Sequence, residues 1–418
     1  MALTRRLLLG TGAALLAPAM RARAASPLLI GFITSLSGPQ EVFGRPMLTG
    51  ARIAADQVNA AGGVLGRRVE ILDRDDGADP DRAVAQLKEL TGNGVNLLAG
   101  IVTSPVGLAT SPAAAQANAV LMTCLAATDK LTHDNFNPHY FRVSDQTVMR
   151  NRAQARLMVE RYPEVTNWAA LIPDMEYGHS AYAAFRQGLR EASNGKATLA
   201  EPILSKFGAE DFTQQIAALK ASPAEGVFIA VYGGDAVALY RQAGFSSTFG
   251  HVKVLADSVN EVIVPMELGS ATPENLWLGM TWYHAGYGQL PMARALYEDN
   301  LRRTGEALPL GMIETGHAAV LAYAAAIRKA GKTDTDAVIK ALEGLTFDTA
   351  KGPVTFRPED HQAIGDVNLI RMKGTGEGAP LDILDYVRSG YEVAEFVRLD
   401  GASVIEPPSP GKPIDLGN

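Results

Sequence analysis

The fold is decided by the stretch LLIGFITSLSGPQEVFGRPMLTGARIAADQVNAAGGVLGRRVEILDRDDGADP, residues 28–80. It begins with a short apolar run of the buried-strand type, LLIGFI, which turn chemistry around Gly38 ends. Apolar residues then recur at helical spacing from Met47 to Val58, and a Gly-Gly pair stops the helix. A second apolar run, VEIL, follows. The stretch therefore predicts one strand–helix–strand unit with parallel strands.

The same alternation continues along the chain. Strand-type runs recur at VNLLAGIV, AVLMTCL and YFRVSD, and the pattern restarts with NWAALIP, ATLAEPIL, GVFIAVY and VKVLAD. Strands that alternate with helices of about 10 to 15 residues predict a parallel sheet with right-handed crossovers. Two such series predict an α/β fold with two doubly wound parallel-sheet lobes.

The N-terminus has the composition of an export signal. Arg5-Arg6 precede the apolar stretch GTGAALLAPAM, and Ala22-Arg23-Ala24 offers small residues where a signal peptidase cuts. The apolar stretch is shorter than the roughly 20 residues of a membrane span. We therefore expect residues 1–24 to be a cleaved, twin-arginine-like signal peptide and the mature protein to lie in the periplasm. An uncleaved anchor is the alternative, and export by the general route also fits this start.

Composition argues against several classes of protein. The 418 residues are 47% hydrophobic and 20% charged, which is typical of a globular chain, and their number indicates two domains. Loss of the four arginines in residues 1–24 takes the formal net charge from −7 to −11, and an acidic chain without a basic stripe argues against nucleic acid. Cys124 is the single cysteine, so no intrachain disulfide can form. Without CxxC or a close-spaced histidine pair, we expect neither a metal nor a cofactor.

Polar residues follow the predicted strands of the first lobe, at the end of the sheet where open α/β folds bind ligands. Thr103 and Ser104 come directly after VNLLAGIV, at the start of a helix whose backbone N–H groups can hold a carboxylate. Ala126 and Thr128 follow the next strand. The Thr128 hydroxyl can donate to the same anion, and the Ala126 carbonyl can accept from an ammonium. Ser104 and Thr128 could equally be helix caps.

The second lobe supplies two further candidates. Tyr177 follows the strand AALIP and could close over a ligand. Asp257 follows VKVLA, where its carboxylate could pair with a positive amine. The alternative is that Tyr177 packs at the lobe surface and that Asp257 is a cap or turn residue.

Four motifs resemble those of the periplasmic branched-chain amino acid-binding proteins of bacterial ABC importers. They are SLSGP, the Phe43-Gly44 pair, NAAGGVLGRRVEI and the D-D-x-x-D-P of residues 75–80. The resemblance implies a protein that captures a small molecule outside the cytoplasm and delivers it to a membrane permease. It also implies a hinge of three crossings, with residues 25–143 and 282–356 in one lobe and 144–281 and 357–418 in the other.

Site residues carry over from this family where local motifs match. The resemblance implies that Ser104, Ala126 and Thr128 grip the carboxylate and amine of an amino acid, and that Tyr177, in a Tyr-Gly pair, contacts it from the other lobe. Asp257 stands where the family has a glutamate that neutralises the ammonium.

Two further residues come from the same comparison of motifs. Phe43 matches the aromatic residue at the pocket mouth, and Asp235, after a shared Gly-Gly, aligns more loosely. Proteins of this kind need no cofactor, and we expect a monomer.

Three functions remain open at this point. The first is the solute-binding component of an importer for an amino acid or a related small carboxylate, and members with this architecture also bind aromatic acids, amides or urea. The second is a ligand-sensing domain. The third, a secreted hydrolase, lacks a G-x-S-x-G elbow, and His251 and His317 have no evident catalytic partners. We therefore expect no enzyme activity.

Overall fold

The computed structural model describes residues 26–244, 248–375 and 390–414, so the expected signal peptide at 1–24 lies outside the described residues. Its strands form three sheets. The first contains β1 (Leu28–Thr34), β2 (Val69–Asp75), β3 (Leu97–Gly100), β4 (Val120–Thr123) and β5 (Tyr140–Arg142). The strands of this sheet are all parallel, in the order β2-β1-β3-β4-β5. The helices that join them are α1 (Glu41–Ala60), α2 (Pro80–Gly92) and α3 (Ser104–Gln116).

Local chemistry explains where the first helices begin. The Asp79 carboxylate accepts hydrogen bonds from the N–H groups of Asp81 and Arg82, and proline occupies the first position of α2, where no N–H is needed. Helix α1 begins at Glu41, before the apolar pattern that starts at Met47. The helix contains Pro46 in its interior, and because proline has no N–H, one helical hydrogen bond is lost there. The unit predicted over residues 28–80 is therefore β1-α1-β2.

The second sheet is larger and has the order β16-β15-β11-β10-β9-β6-β7, with β8 also paired to β6. These strands are β6 (Asn167–Pro173), β7 (Thr198–Leu199), β8 (Ile203–Ser205), β9 (Gly226–Ile229), β10 (Val254–Asp257), β11 (Leu276–Met280), β15 (Val367–Gly374) and β16 (Tyr391–Leu399). The helices of this lobe are α4 (Thr147–Arg161), α5 (Glu176–Ala192), α6 (Thr213–Ala221), α7 (Gly234–Ala243) and α8 (Ile263–Leu268).

Two features of the second sheet differ from the sequence pattern. The segment ATLAEPIL forms two short strands instead of one, because Pro202 between them has no N–H for the sheet ladder. Strands β15 and β16 are antiparallel additions at the edge, since the chain re-enters the sheet in the opposite direction. The parallel pairing of β6, β9 and β10 is as predicted, and β11 extends this parallel core by a strand that the sequence pattern did not predict.

The chain passes between the two large sheets three times. The first passage lies between β5 and β6, and the second follows β11, where α9 (Pro291–Thr304) and α10 (Met312–Ala330) pack against α1. The third precedes β15, after α11 (Thr335–Leu342) and a small antiparallel sheet of β12 (Thr346–Thr349), β13 (Gly352–Phe356) and β14 (Ala363–Ile364). The lobes are thus joined by a hinge of three segments.

Helices α1 and α10 approach each other unusually closely. A Cβ atom on Gly50 would lie 1.8 Å from the carbonyl oxygen of Ile313, and one on Gly316 would lie 1.9 Å from that of Met47. Glycine is therefore required on both sides of this contact. It fixes α10 to the first lobe although it lies far along the chain.

Within the described ranges, no helix is long and apolar enough to cross a membrane. The same residues contain no group of three or more His, Cys, Asp or Glu side chains that could hold a metal ion. Cys124 is fully buried directly after β4, and burial raises the pKa of its thiol to about 12. Its role is therefore in packing.

Candidate functional site

A cavity lies between the two lobes, beyond the C-terminal ends of their parallel strands. The first lobe lines it with Val102, Ser104, Leu125 and Ala127, the second with Tyr177, Tyr232 and Val259, and helix α4 with Arg150. The unfilled space, mouth included, is about 270 Å³, which is below the range of drug-sized pockets. Its free core is only about 20 Å³, roughly the room of one water molecule. A larger ligand therefore requires the walls to part.

Ser104 is a predicted site residue that lines the cavity, as Tyr177 is. It is the first residue of α3, and its Oγ accepts a hydrogen bond of 3.3 Å from the N–H of Thr128. The hydroxyl has no acceptor among the described residues, so its proton can be donated to a ligand. Thr103, just before it, is buried, and its Oγ1 has no hydrogen-bond partner among the described residues. The two segments predicted in the first lobe are thus brought together.

Arg142 holds the loop that contains Ala126 and Thr128. Its guanidinium is fully buried and donates to the carbonyl oxygens of Ala126 at 3.2 Å and Thr128 at 2.8 Å. Its remaining nitrogens donate to the Oε1 atoms of Gln362 and Gln146 and to the Thr132 hydroxyl. The Ala126 carbonyl, expected to accept from an ammonium, is therefore already bound to a cation of the protein.

Tyr177 forms the opposite wall with Tyr232, and the two rings meet edge to face at 5.1 Å. The Tyr177 hydroxyl donates to Ser258 Oγ at 2.9 Å, and Ser258 in turn donates to Asn151 at 2.8 Å. Burial raises the pKa of Tyr177 to about 12, so its hydroxyl keeps its proton at neutral pH. Phe43 is fully buried, with its ring 6.2 Å from Tyr232 and outside the cavity lining.

Asp257 ends β10, but its carboxylate faces its own lobe. Its Oδ1 accepts from the N–H groups of Val259 and Asn260, and its Oδ2 accepts from the Tyr240 hydroxyl at 2.9 Å. The Asn260 side-chain amide adds a bond to each oxygen. The side chain is fully buried and does not line the cavity. The structure therefore does not bring Asp257 together with Ser104.

Asp235 also lies apart from the cavity. It stands in the first turn of α7, and its Oδ2 accepts a hydrogen bond of 2.6 Å from the N–H of Gly208. This bond ties α7 to a neighbouring loop of the same lobe. The side chain is buried there and is absent from the cavity lining.

Arg150 and Tyr232 are lining residues that the sequence reading did not single out. Arg150 lies in the first turn of α4, which begins at Thr147, and the pattern of strand-type runs does not mark this start. Tyr232 was assigned to the strand GVFIAVY, but β9 ends at Ile229, which leaves Tyr232 in the loop. A signal for Tyr232 was present in the sequence. Tyr232 directly precedes Gly233-Gly234, in a loop at the end of a strand, and such loops often contact ligands.

The two lobes touch around the cavity, so the structure shows a closed arrangement. Lys130 of the first lobe pairs with Glu176 of the second at 2.9 Å, and Thr128 Oγ1 donates to the same carboxylate at 3.3 Å. Nearby, the N–H of Gly234 donates to the carbonyl of Pro39 at 3.2 Å. These few polar contacts are partly exposed, and exposed ion pairs contribute little stability. They can therefore form and break as the lobes move.

Asp129, next to this loop, makes the stability of the protein depend on pH. Burial raises the pKa of its carboxyl to about 7, with the cation of Arg142 opposing the rise and Glu176 adding to it. Because the folded state keeps this proton to a higher pH than the unfolded chain does, the stabilisation is complete below about pH 4 and is lost as the pH rises to about 7.

We therefore expect Asp129→Asn to flatten the pH profile of the unfolding free energy by on the order of 3 kcal/mol between pH 4 and pH 8. Oδ1 of Asp129 accepts from the N–H of Val148, which asparagine can preserve, and Oδ2 has no partner among the described residues. Urea unfolding at several pH values measures the effect. A variant profile parallel to that of the wild type would show that Asp129 is already ionised in the folded protein.

The comparisons with known proteins agree with the two-lobed fold. The family model described as "Periplasmic binding protein" matches residues 27–377. The chain belongs to the periplasmic binding protein family. The resemblance to branched-chain amino acid-binding proteins and the two-lobed fold are both confirmed. Relatives and fold are those of substrate-binding transport proteins of ABC importers, not of enzymes.

Three similar proteins illustrate the different ligands that proteins of this fold bind. The leucine-, isoleucine-, valine-, threonine- and alanine-binding protein of Pseudomonas aeruginosa is 26% identical over 337 residues, 80% of this chain and 86% of that protein. A Brucella ovis protein of the same name, in a closed conformation, has a TM-score of 0.77 with 19% identity over 92% of this chain and 98% of its own. A solute-binding protein of Rhodopseudomonas palustris in complex with 3,4-dihydroxybenzoic acid has a TM-score of 0.75 with 20% identity over 90% and 98%.

Proposed function

We propose that the mature protein captures a small carboxylate between its two lobes in the periplasm and delivers it to an ABC-type permease. The observation that carries this proposal is the cavity, because residues of both lobes line it together. The relatives bind amino acids in one case and an aromatic acid in another. The carboxylate is the chemical group that these ligands share.

The proposed site has a distinct role for each wall. The ligand carboxylate docks first on the first lobe, where Ser104 offers its hydroxyl and α3 offers its N-terminal N–H groups. The second lobe then closes by hinge motion and places Tyr177 and Tyr232 over the ligand. Since the free core is too small for such a ligand, entry requires the contacts of Glu176 with the first lobe to open.

Binding of the ligand closes the two lobes, and this closure signals to the permease that a ligand is bound. A ligand that binds the closed state better than the open state shifts the population toward it, and the permease then recognises the closed state. The export signal at residues 1–24, the lobe boundaries and a monomeric state belong to the same proposal. No covalent step is required of any residue.

The test is a thermal-shift screen of the chain from residue 26 onward against amino acids, aromatic and aliphatic carboxylates, and small amides. A ligand that binds only the folded state raises its stability with concentration, by about 2.7 kcal/mol at 100 times the Kd. We expect at least one carboxylate to do so, and to be recovered chemically unchanged. Ser104→Ala should weaken this ligand about tenfold through the lost hydrogen bond.

A matched control lies on the same helix. Ser111 is buried and accepts a bond from the side chain of Asn137, away from the cavity lining. Ser111→Ala should leave the affinity unchanged. The proposal fails if no compound stabilises the protein, or if the compound that does is converted into a product.

A further inference from the structure

Arg150 is a buried cation at the cavity with an unused donor. Its side chain is 3% exposed, and its Nε and Nη2 donate to the two oxygens of Asp145 at 2.8 and 2.5 Å. Its Nη1 is buried and has no hydrogen-bond partner among the described residues. Buried polar groups in folded proteins are nearly always paired, so an unpaired guanidinium nitrogen at a ligand cavity indicates a missing acceptor.

The rest of the lining adds positive potential and no negative charge. Helix α3 begins at the cavity wall, at Ser104, with no acidic residue in its first turn, and helix N-termini carry a partial positive charge. No aspartate or glutamate is among the lining residues. An anion is therefore favoured in this cavity and a cation is opposed.

The acceptors that an ammonium group would need are already engaged. Asp257 is bound to Tyr240 and Asn260, and the Ala126 carbonyl is bound to Arg142. Asp145, the acid closest to the cavity cation, uses both oxygens on Arg150. An ammonium in this cavity would lose its water without gaining a charged partner, and an unpaired buried charge costs several kcal/mol, roughly enough to lower affinity more than 100-fold.

We propose that the cavity selects a compact apolar monocarboxylate without an α-ammonium group, whose carboxylate is bound by Nη1 of Arg150 and the hydroxyl of Ser104. This inference rests on the proposed function and names its ligand class. The remaining walls are Val102, Leu125, Ala127 and Val259, with the two tyrosine rings, and they suit a branched aliphatic or an aromatic tail. Specificity then depends on the cation of Arg150, which binds the carboxylate of the ligand. It does not depend on the Ala126 carbonyl and the Asp257 carboxylate, which were expected to bind an ammonium group.

Matched ligands test the selection directly in the unaltered protein. Leucine and 4-methylpentanoate share one carbon skeleton and differ only in the α-ammonium group, as do phenylalanine and 3-phenylpropanoate. The affinities are measured by isothermal titration calorimetry. In any pair of which a member binds, the compound without the amine should bind at least about 100-fold more tightly than the amino acid. Equal or tighter binding of the amino acid overturns the inference while the proposed function stands. Binding by no carboxylate at all, benzoate included, overturns both.

Variants of the pair test the role of Arg150. Asp145→Asn combined with Arg150→Gln avoids an unpaired buried acid, and Arg150→Lys keeps the charge but shortens the reach. Both should weaken 4-methylpentanoate about 10- to 100-fold, whereas the neutral 4-methylpentanamide should change less than about threefold. Equal weakening of acid and amide would show a merely structural role for Arg150 and would overturn the inference.

The control for these variants is on the same helix. Arg152 pairs with Glu191 and Glu406, away from the cavity lining. Arg152→Gln removes one positive charge from α4 and should leave the affinity for both 4-methylpentanoate and its amide unchanged. Loss of the acid's affinity in this variant as well would assign the effect to overall charge and overturn the contact with Nη1.

Discussion

Replacement of Arg142 by methionine is expected to lower the unfolding free energy by about 3 to 5 kcal/mol. Methionine keeps much of the volume but none of the five donors. The carbonyls of Ala126 and Thr128 would lose their shared partner, and the buried Oε1 atom of Gln362 would lose its donor. Each buried group without a partner costs about 1 to 3 kcal/mol. Urea unfolding at neutral pH measures the loss.

The loss of Arg142 should also affect binding and pH dependence. The loop that contains Thr128 and lines the cavity with Ala127 would no longer be fixed, so affinity for a carboxylate should fall. The cation that opposes the raised pKa of Asp129 would be absent, so stability should decline more steeply with rising pH. Arg161→Met, at an exposed ion pair with Glu395, is the control and should cost less than about 1 kcal/mol. Equal losses in the two variants would contradict the role given to Arg142.

A second large effect is expected where α1 crosses α10. Gly50→Ala places a methyl group 1.8 Å from the Ile313 carbonyl oxygen. The atoms nearest to this methyl group belong to the backbone, so no side chain can turn away to make room. The helices would have to separate, and overpacking of this kind costs typically about 1 to 3 kcal/mol and occasionally more. Because backbone meets backbone here, we expect about 3 kcal/mol, measured by chemical unfolding.

The matched control is Gly92→Ala at the end of α2. No atom lies within 4 Å of a Cβ built there, and the backbone is helical. Since alanine is the better helix former, this variant should be unchanged or more stable by up to about 1 kcal/mol. If Gly50→Ala were as mild as Gly92→Ala, the helices would not be packed as closely as the structure shows.

Much of the fold could be predicted from the sequence because the signals are local. The alternation of apolar runs with helical spacing predicts β1-α1-β2 and the parallel core of the second sheet, and Asp79-Pro80 marks the start of α2. The edge strands β15 and β16 could not be predicted in this way. Their direction depends on where the chain re-enters the sheet after the third crossing, which is a matter of distant contacts.

The candidate site was less accessible to sequence reasoning. Ser104 was found because the end of a strand and the start of a helix are visible in one short segment. The role of Arg150 depends on which of its nitrogens remains unpaired after Asp145 is bound, and no spacing rule reveals that. Asp257 illustrates the reverse case: its type and position suggest an amine partner, but Tyr240 and Asn260 occupy its oxygens.

The most direct test of the account is a crystal structure of the mature protein grown with the tightest-binding carboxylate among 4-methylpentanoate, 3-phenylpropanoate and benzoate. We predict density for the ligand between Ser104 and Tyr177, with one carboxylate oxygen within about 3 Å of Nη1 of Arg150. Asp257 should still be bound to Tyr240. Density for the ligand elsewhere, or at this cavity with its carboxylate turned away from Arg150, would contradict the account.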